Sequence, residues 1–538
     1  MSMSSIRRDV GPFALLLTGV GGIIGSGWLF GAWRAAQLAG PGAVWAWLLG
    51  AAIIMTIALT YAELGAMFPE SGGMVRYSHY SHGALVGFIG AWANWIAIVS
   101  VIPVEAEASV QYMAGWDWAW ARGLYTPAPG GHGELTHAGL AIAAALVVVY
   151  FLLNFWSVKL FAHSNTAITL VKLVVPAATG IALIASGFHA ANFQVGVEGG
   201  QHATDFAAVL TAVATAGIVF SYNGFQNPVN LAGEARHPGR SIPFAIIGSI
   251  ALATVIYVIL QVAYLGAVPA ALLAKAGWHG IDFSSPFAEL AKLLGLQWLA
   301  YLLFADAFVS PSGTGMTYTA TTARMLYGMQ RNGTLPKILG RIDPRWGVPR
   351  PAMWLNLAVS FGFLLYARGW GTLAEVISVA TIISYLTGPV SVMTLRRTAP
   401  SMHRPLRLLG LPVLAGVAFI MATELLYWAR WPRTGQIILL MAAALPVYLF
   451  YQARTGWPDW ARQLRAAWWL IVYLPVIALV SWAGSGMFGG HGYLPYGWDL
   501  AVVAVVGLVF YLWGVRSGWR TPSVEQAERE APDAATAH

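Results

Sequence analysis

The chain carries Gly21-Gly22-Ile23-Ile24-Gly25-Ser26-Gly27 inside its first long apolar run. Glycine costs a helix about 1 kcal/mol per residue relative to alanine. In lipid, unwound backbone is tolerated only where it is buried in protein or lines a cavity. The spacing therefore predicts a broken helix; the competing reading is close helix packing through small side chains. A half-helix that begins here exposes free N–H groups and a positive dipole end, which suit an anion. Gly25, Ser26 and Gly27 would present those groups to a carboxylate. The half-helix before them ends in free carbonyls such as that of Ile23, which suit an ammonium. A second interruption, Phe220-Ser221-Tyr222-Asn223-Gly224-Phe225-Gln226-Asn227-Pro228, lies in the sixth apolar run. Phe220, Ser221, Asn223 and Gly224 are its contribution to the same centre. Carbonyls and N–H groups together fit the backbone of an α-amino acid. Paired breaks of this kind are the best sequence pointer to a transporter's substrate site.

An ionisable group at mid-bilayer costs about 2.5–3.5 kcal/mol by insertion scales, so each needs a reason. Lys172 sits near the middle of the fifth run and is the expected site of proton coupling; snorkelling to an interface is the alternative, and the central position argues against it. Arg34, Glu105 and Asp306 are candidates for a vestibule or for specificity, with Glu107 beside them, and a structural ion pair is the equal alternative. Glu63, Glu70, Arg76, Glu234, Arg240 and Arg324 are expected to make cytoplasmic gate contacts. Ser310, Ser312 and Thr314 read as helix-packing residues rather than a sodium site. His79 and His82 make no sufficient metal set. Ser26 has no histidine near it in sequence and no HExxH motif exists, so no enzyme is expected. Glu375 and Glu424 carry no assignment.

These residues need elements that hold them in a membrane. Of 538 residues, 58% are hydrophobic and 10% charged, against about 25% charged in a soluble domain. That is too little charge to cover a soluble surface. The 25 Trp, 21 Tyr and 23 Phe suit the aromatic belts of a bilayer. Cysteine is absent, which excludes disulfides and thiol chemistry. Fourteen apolar runs can be counted, and no strand alternation suggests a barrel. The first run starts near Pro12 without a small-residue cleavage site behind it and reads as a retained span. With fourteen spans, one side holds only Arg34, Arg122, Lys275, Lys292, Arg368, Arg430 and Arg433. Apart from Lys172, every other basic residue, Arg7 and Arg8 included, shares the side of both termini. The positive-inside rule makes that side cytoplasmic, so the net charge of +8 needs no nucleic acid to explain it. The division reads as a cytoplasmic segment 1–11, a first repeat 12–186, a second repeat 206–395, peripheral spans 408–516 and a disordered tail 517–538. Five spans separate the two breaks, so a repeat of spans 1–5 by spans 6–10 must be inverted.

The stretches GGIIGSGWLF, AELGAMFPESGGMVRYSHYSHG, FSYNGFQNPVNLAGEARHPGRSIP and TTARMLYGMQRNGTLPKILGRIDPRWGVPR resemble the amino acid–polyamine–organocation transporters. FLLNFWSVKLFAHSN, DAFVSPSGTG and LRAAWWLIVYLP extend the likeness to the bacterial aspartate–proton symporters. The resemblance implies an all-α polytopic membrane protein, a ten-helix inverted repeat with broken helices 1 and 6 and about four peripheral C-terminal helices. It implies carboxylate binding at Ser26 and Gly27 and amine binding by carbonyls of Ile23, Phe220 and Asn223. It makes Phe220 a gating aromatic, and sets Lys172 where sodium-coupled relatives hold the ion. Some exchangers of the family carry glutamate where this chain has Gln226. The function so implied is proton-coupled import of an amino acid, aspartate or glutamate first, across the inner (plasma) membrane. An exchanger and a permease for neutral amino acids stay open. No cofactor or metal is expected, no sizeable signalling domain is present, and the oligomeric state is left open.

Overall fold

The computed structural model describes residues 10–70, 73–128, 133–156, 158–197 and 205–530. Arg7, Arg8 and the last stretch of the tail, 531–538, lie outside the described residues, and so does the side chain of Lys159. The described chain is mostly helical. Among the described residues, ten helical stretches are long and apolar enough to cross a membrane, from Gly27–Met67 to Trp498–Ser517. Two shorter apolar helices, Pro12–Ile23 and Phe206–Thr215, belong to the two interrupted runs. A further helix, Gln297–Arg331, is 35 residues long and accommodates Pro311 in its interior.

The glycine-rich run breaks as expected. Pro12–Ile23 stops at Ile24, whose φ of −84° and ψ of 87° are not helical, and a new helix starts at Gly27. The sixth run breaks twice. Thr215 ends one helix, Gly217 (φ 83°) resets the direction, Ile218–Ser221 forms a single turn, and Asn227–Asn230 forms another. The Gly217 break was not foreseen, because one glycine in an apolar run carries little signal. Close packing, the competing reading for the glycines, operates too. A side chain on Gly22 would run into Asn227 and the Gly224 Cα, and one on Gly224 into the Gly22 backbone. Gly224 holds φ 138°, open only to glycine. The two breaks therefore cross backbone to backbone.

Pro238–Ala267 packs along both Ala43–Met67 and Pro12–Ile23, and Gln297–Arg331 packs along Val101–Met113. Trp370–Tyr385 lies against Ala84–Val99, and Leu411–Trp428 against Trp498–Ser517. The tail departs from expectation. Pro522–Glu530 is a helix that lies against the connecting helix Gly73–His82. Its Val524 is fully buried and its Ser523 Oγ sits 3.0 Å from His79 Nε2. The polar, alanine-rich composition had concealed a short amphipathic helix.

Candidate functional site

The breaks meet at a narrow cleft lined by Gly22, Ile23, Gly25, Val101, Glu105, Phe220, Asn223, Thr314 and Tyr318. At the start of the second half-helix, the Ser26 N–H donates to Glu105 Oε2 at 2.9 Å. The free N–H at this dipole end thus already holds a carboxylate, one supplied by the protein itself. Glu105 Oε1 has no hydrogen-bond partner among the described residues. Gly25 lies directly against it, since a Cβ there would strike Oε1 and come 3.2 Å from Thr314 Oγ1.

Lys172, 2% exposed, donates from Nζ to the Gly21 carbonyl at 2.8 Å and to Thr314 Oγ1 at 2.6 Å. One ammonium therefore ties the end of the first half-helix to the long helix Gln297–Arg331. Glu105 and Lys172 reach the same break from different elements, with Thr314 beside both.

The carbonyls expected to take an amine are partly engaged. Ile23 O accepts from Gly25 N at 3.1 Å and from Tyr257 OH at 3.1 Å. Tyr257 OH also lies 3.0 Å from Ser221 O, so one phenol bridges both breaks. Phe220 O accepts from Asn223 N at 2.9 Å and is also approached by the Tyr222 N–H. Asn223 donates from Nδ2 to Thr381 Oγ1 at 3.2 Å, and its Oδ1 accepts from Gln226 Nε2. Gln226 Oε1 accepts from Gly224 N (2.9 Å) and Tyr385 OH (3.1 Å). Gly27 has no room for a side chain because Ser221 packs on it. Ser221 spends its own hydroxyl on Gly217 O at 2.8 Å.

Not every candidate converges here. Asp306 is buried, accepts from Ser310 Oγ at 2.8 Å and lies two turns, about 12 Å, before Thr314 along its helix, within electrostatic reach of Lys172 but off the break itself. Arg34 donates from Nη1 to Gln37 Oε1 at 2.6 Å, two turns beyond the break. Its electrostatic neighbours are Glu375, Tyr125 and Asp282 rather than Glu105 or Asp306. Ser312 shares a hydrogen bond with Tyr150 at 3.0 Å, whereas Thr314 belongs to the Lys172 site.

Aromatic side chains close the cleft above and below. Toward the Ala39 end, Trp370 donates from Nε1 to Ser26 Oγ at 2.9 Å and stacks on Phe30 at 4.8 Å. Phe220 meets Trp370 edge-on at 6.0 Å. Toward the Met67 end, Tyr61, Phe225 and Tyr385 cluster at 5.1–6.4 Å. Below that cluster, Arg396 grips Glu63 with Nε (2.7 Å) and Nη2 (2.5 Å). Glu70 pairs with Arg76. Glu63 takes Arg396, a residue not among the foreseen gate contacts. Sequence reasoning also missed Trp370 and Tyr257. Both lie in other runs, and nothing local marks an aromatic residue that reaches a break from a distance. No group of three or more metal-ligating side chains occurs among the described residues.

A family model described as amino acid permease matches residues 10–455. The chain belongs to the amino acid permease family. It is a permease and not an enzyme, held in the membrane by many helices. It is 54% identical over 528 residues to the glutamate/serine transporter AimA of Bacillus subtilis (strain 168), covering 98% of this chain and 97% of that one. It is 38% identical over 519 residues to the aspartate-proton symporter of the same organism, covering 96% and 97%. A branched-chain amino acid permease, BcaP, from that organism is 25% identical over 460 residues, covering 84% and 94%. The expected likeness to aspartate–proton symporters is present, and the glutamate/serine transporter matches more strongly.

Proposed function

We propose that this permease imports an amino acid together with a proton by alternating access. The observation that carries the reading is the Lys172 ammonium between Gly21 O and Thr314 Oγ1, next to a carboxylate seated on the Ser26 N–H. A charged Lys172 ties the first helix to Gln297–Arg331. Loss of its proton removes a charge-assisted bond at the hinge. The substrate's carboxylate takes the Ser26 N–H, and Glu105 must yield that place. The substrate's ammonium takes Phe220 O, as the Tyr222 N–H gives way, and, as Tyr257 moves, a lone pair of Ile23 O. Phe220 covers the bound molecule.

The same reading places both termini in the cytoplasm of a plasma-membrane protein, with fourteen spans. Spans 1–5 and 6–10 form two inverted halves, each opening with a broken helix. Arg396, Glu63 and the Tyr61 cluster then belong to the inner gate, and Trp370 to the outer side. The two stronger relatives are named for glutamate, serine and aspartate, which makes acidic and small polar amino acids the first to test. One observation favours a neutral substrate. Glu105 is the charged residue lining the cleft, and Asn223, Thr314 and Tyr318 line it with uncharged polar groups.

The test is uptake into proteoliposomes under an imposed inward proton gradient, with labelled aspartate, glutamate, serine and a branched-chain amino acid. Concentrative uptake of one class, abolished when the gradient is collapsed, is expected. Uptake only into vesicles preloaded with amino acid would replace this reading with exchange.

A further inference from the structure

Trp370 is the first residue of its helix, yet its indole reaches the unwound hinge of another. It is 2% exposed. Its N–H donates to Ser26 Oγ, which leaves the Ser26 hydroxyl proton free to point elsewhere. The ring is gripped from two sides, stacked on Phe30 with planes 30° apart and edge-on to Phe220. Gly217, at φ 83°, lies beneath it, and a Cβ there would come 2.7 Å from a ring carbon. The second half-helix of the first span and the break of the sixth run therefore both close on one side chain. The segment just before Trp370 is tied in turn to a surface hairpin. Leu135 N donates to Arg368 O at 2.6 Å, and Leu135 pairs with Tyr125 in a two-stranded ribbon. Gly369 packs on the Gly133 carbonyl, with no space for a side chain.

We propose that Trp370 is the outer lid of the substrate site and the residue that positions the Ser26 hydroxyl, carried by the ribbon Tyr125–Thr126/Glu134–Leu135. This rests on the transporter reading above for the site and for which side is outer. When the lid is down, the indole holds Ser26 Oγ by its lone pair and turns the hydroxyl proton toward the bound carboxylate. When the ribbon lifts, Arg368 and Gly369 move with it and draw the indole off Ser26.

The chain's lack of cysteine makes a direct test available. Val101 lines the cleft. In intact cells, the rate at which a membrane-impermeant maleimide labels Val101→Cys reports whether the lid is open. Trp370→Phe keeps a ring on Phe30 and removes the N–H. Ser26→Ala removes the acceptor and leaves the indole. Each is expected to speed labelling without substrate roughly three- to tenfold, the range for loss of one net hydrogen bond. The double variant is expected to be no faster than either. Trp370→Phe should also raise the KM of uptake more than it lowers kcat.

Unchanged labelling in both single variants would overturn the proposal. So would multiplicative effects in the double variant, because the indole would then act by packing alone. Labelling by a permeant reagent only would also overturn it, by placing Trp370 on the inner side. If Trp370→Phe does not reach the membrane, Ser26→Ala alone decides. Protection of Val101→Cys by an amino acid tests the underlying function separately. If the cycle behaves as expected but no amino acid protects, the lid stands and the substrate reading falls.

Discussion

At the scale of single residues, the site is a set of polar groups that must not find permanent partners. Lys172 is the sharpest case. The Lys172→Ala variant is expected to lose accumulation driven by a pH gradient while retaining exchange of labelled for unlabelled substrate. Equal accumulation by variant and parent in the proteoliposome assay would contradict the coupling role. Gly224 gives a second prediction, argued from backbone alone. Its φ of 138° and its contact with the Gly22 backbone leave no room for a methyl group. Gly224→Ala should destabilise the purified protein by about 2–3 kcal/mol, through strain plus overpacking, seen as a lower thermal midpoint. A midpoint within a degree of the parent would show that the breaks are not locked together. Much of this scale was legible in the sequence. Glycine density and a lysine in an apolar run are costly, and what is costly shows. Glu105 was legible as a buried acid but not as the group on Ser26, because its partner lies 79 residues away.

At the scale of elements, two contacts set how the helix ends around Met67 and His82 hold together. Glu63 on Ala43–Met67 is fully buried and accepts two bonds from Arg396 and a third from Leu408 N at 3.2 Å. Removing one partner strands the other's charge. Glu63→Gln should therefore cost about 3 kcal/mol of stability, and Glu63→Gln combined with Arg396→Gln should cost less than the sum of the two. Additive losses in thermal melts would show that the two groups do not act as a pair. The connecting helix Gly73–His82 supplies a pH-dependent contact. His82 hydrogen-bonds Ser81 Oγ (2.8 Å) and Gly514 O (2.9 Å), and burial pushes its ring down to about 4. The folded value lies below the unfolded one, so the neutral ring contributes stability above about pH 6.5. That contribution is lost as pH falls toward 4. Burial and Arg76 push His79 the same way, also to about 4. Melting temperature should drop between pH 6.5 and 4, and His82→Gln should flatten part of the drop. A parent curve flat over that range would refute the assignment. The helix that covers this region, Pro522–Glu530, was hidden by composition. Its nine residues bury Val524, and a window so short and polar reads as tail.

At the scale of the whole molecule, hydropathy carried most of the fold. Long apolar runs must be helices in lipid, since every buried N–H and C=O has to be satisfied within its own segment. Their boundaries follow from length alone, as with Pro238–Ala267 or Leu411–Trp428. What hydropathy could not supply was who touches whom. Arg34 and Asp306 were grouped from their depth along the chain, and the structure gives Arg34 quite different neighbours. Depth is one coordinate, and rotation about the helix axis is another that an almost wholly apolar run does not encode. The topology itself is open to a direct check. Single cysteines at Ala276 and Ala535 should label oppositely with an impermeant maleimide on intact cells, the first readily and the second only after lysis. Labelling of both without lysis would break the fourteen-span assignment.

The crossing of the two breaks also sets a schedule for how the chain is made. The Ile23 carbonyl waits for the hydroxyl of Tyr257, 234 residues later. Ribosomes add about 5–20 residues per second, so the wait is roughly 10 to 50 s. During it the first apolar run is already at the membrane with no Gly224 to cross and no Tyr257 to donate. An open break there would leave peptide groups unsatisfied in hydrocarbon. The first segment must therefore enter as a continuous helix, or stay sheltered by the insertion machinery, until the sixth and seventh segments emerge. Its unwinding is a late event in biogenesis, imposed by a sequence that has yet to be translated.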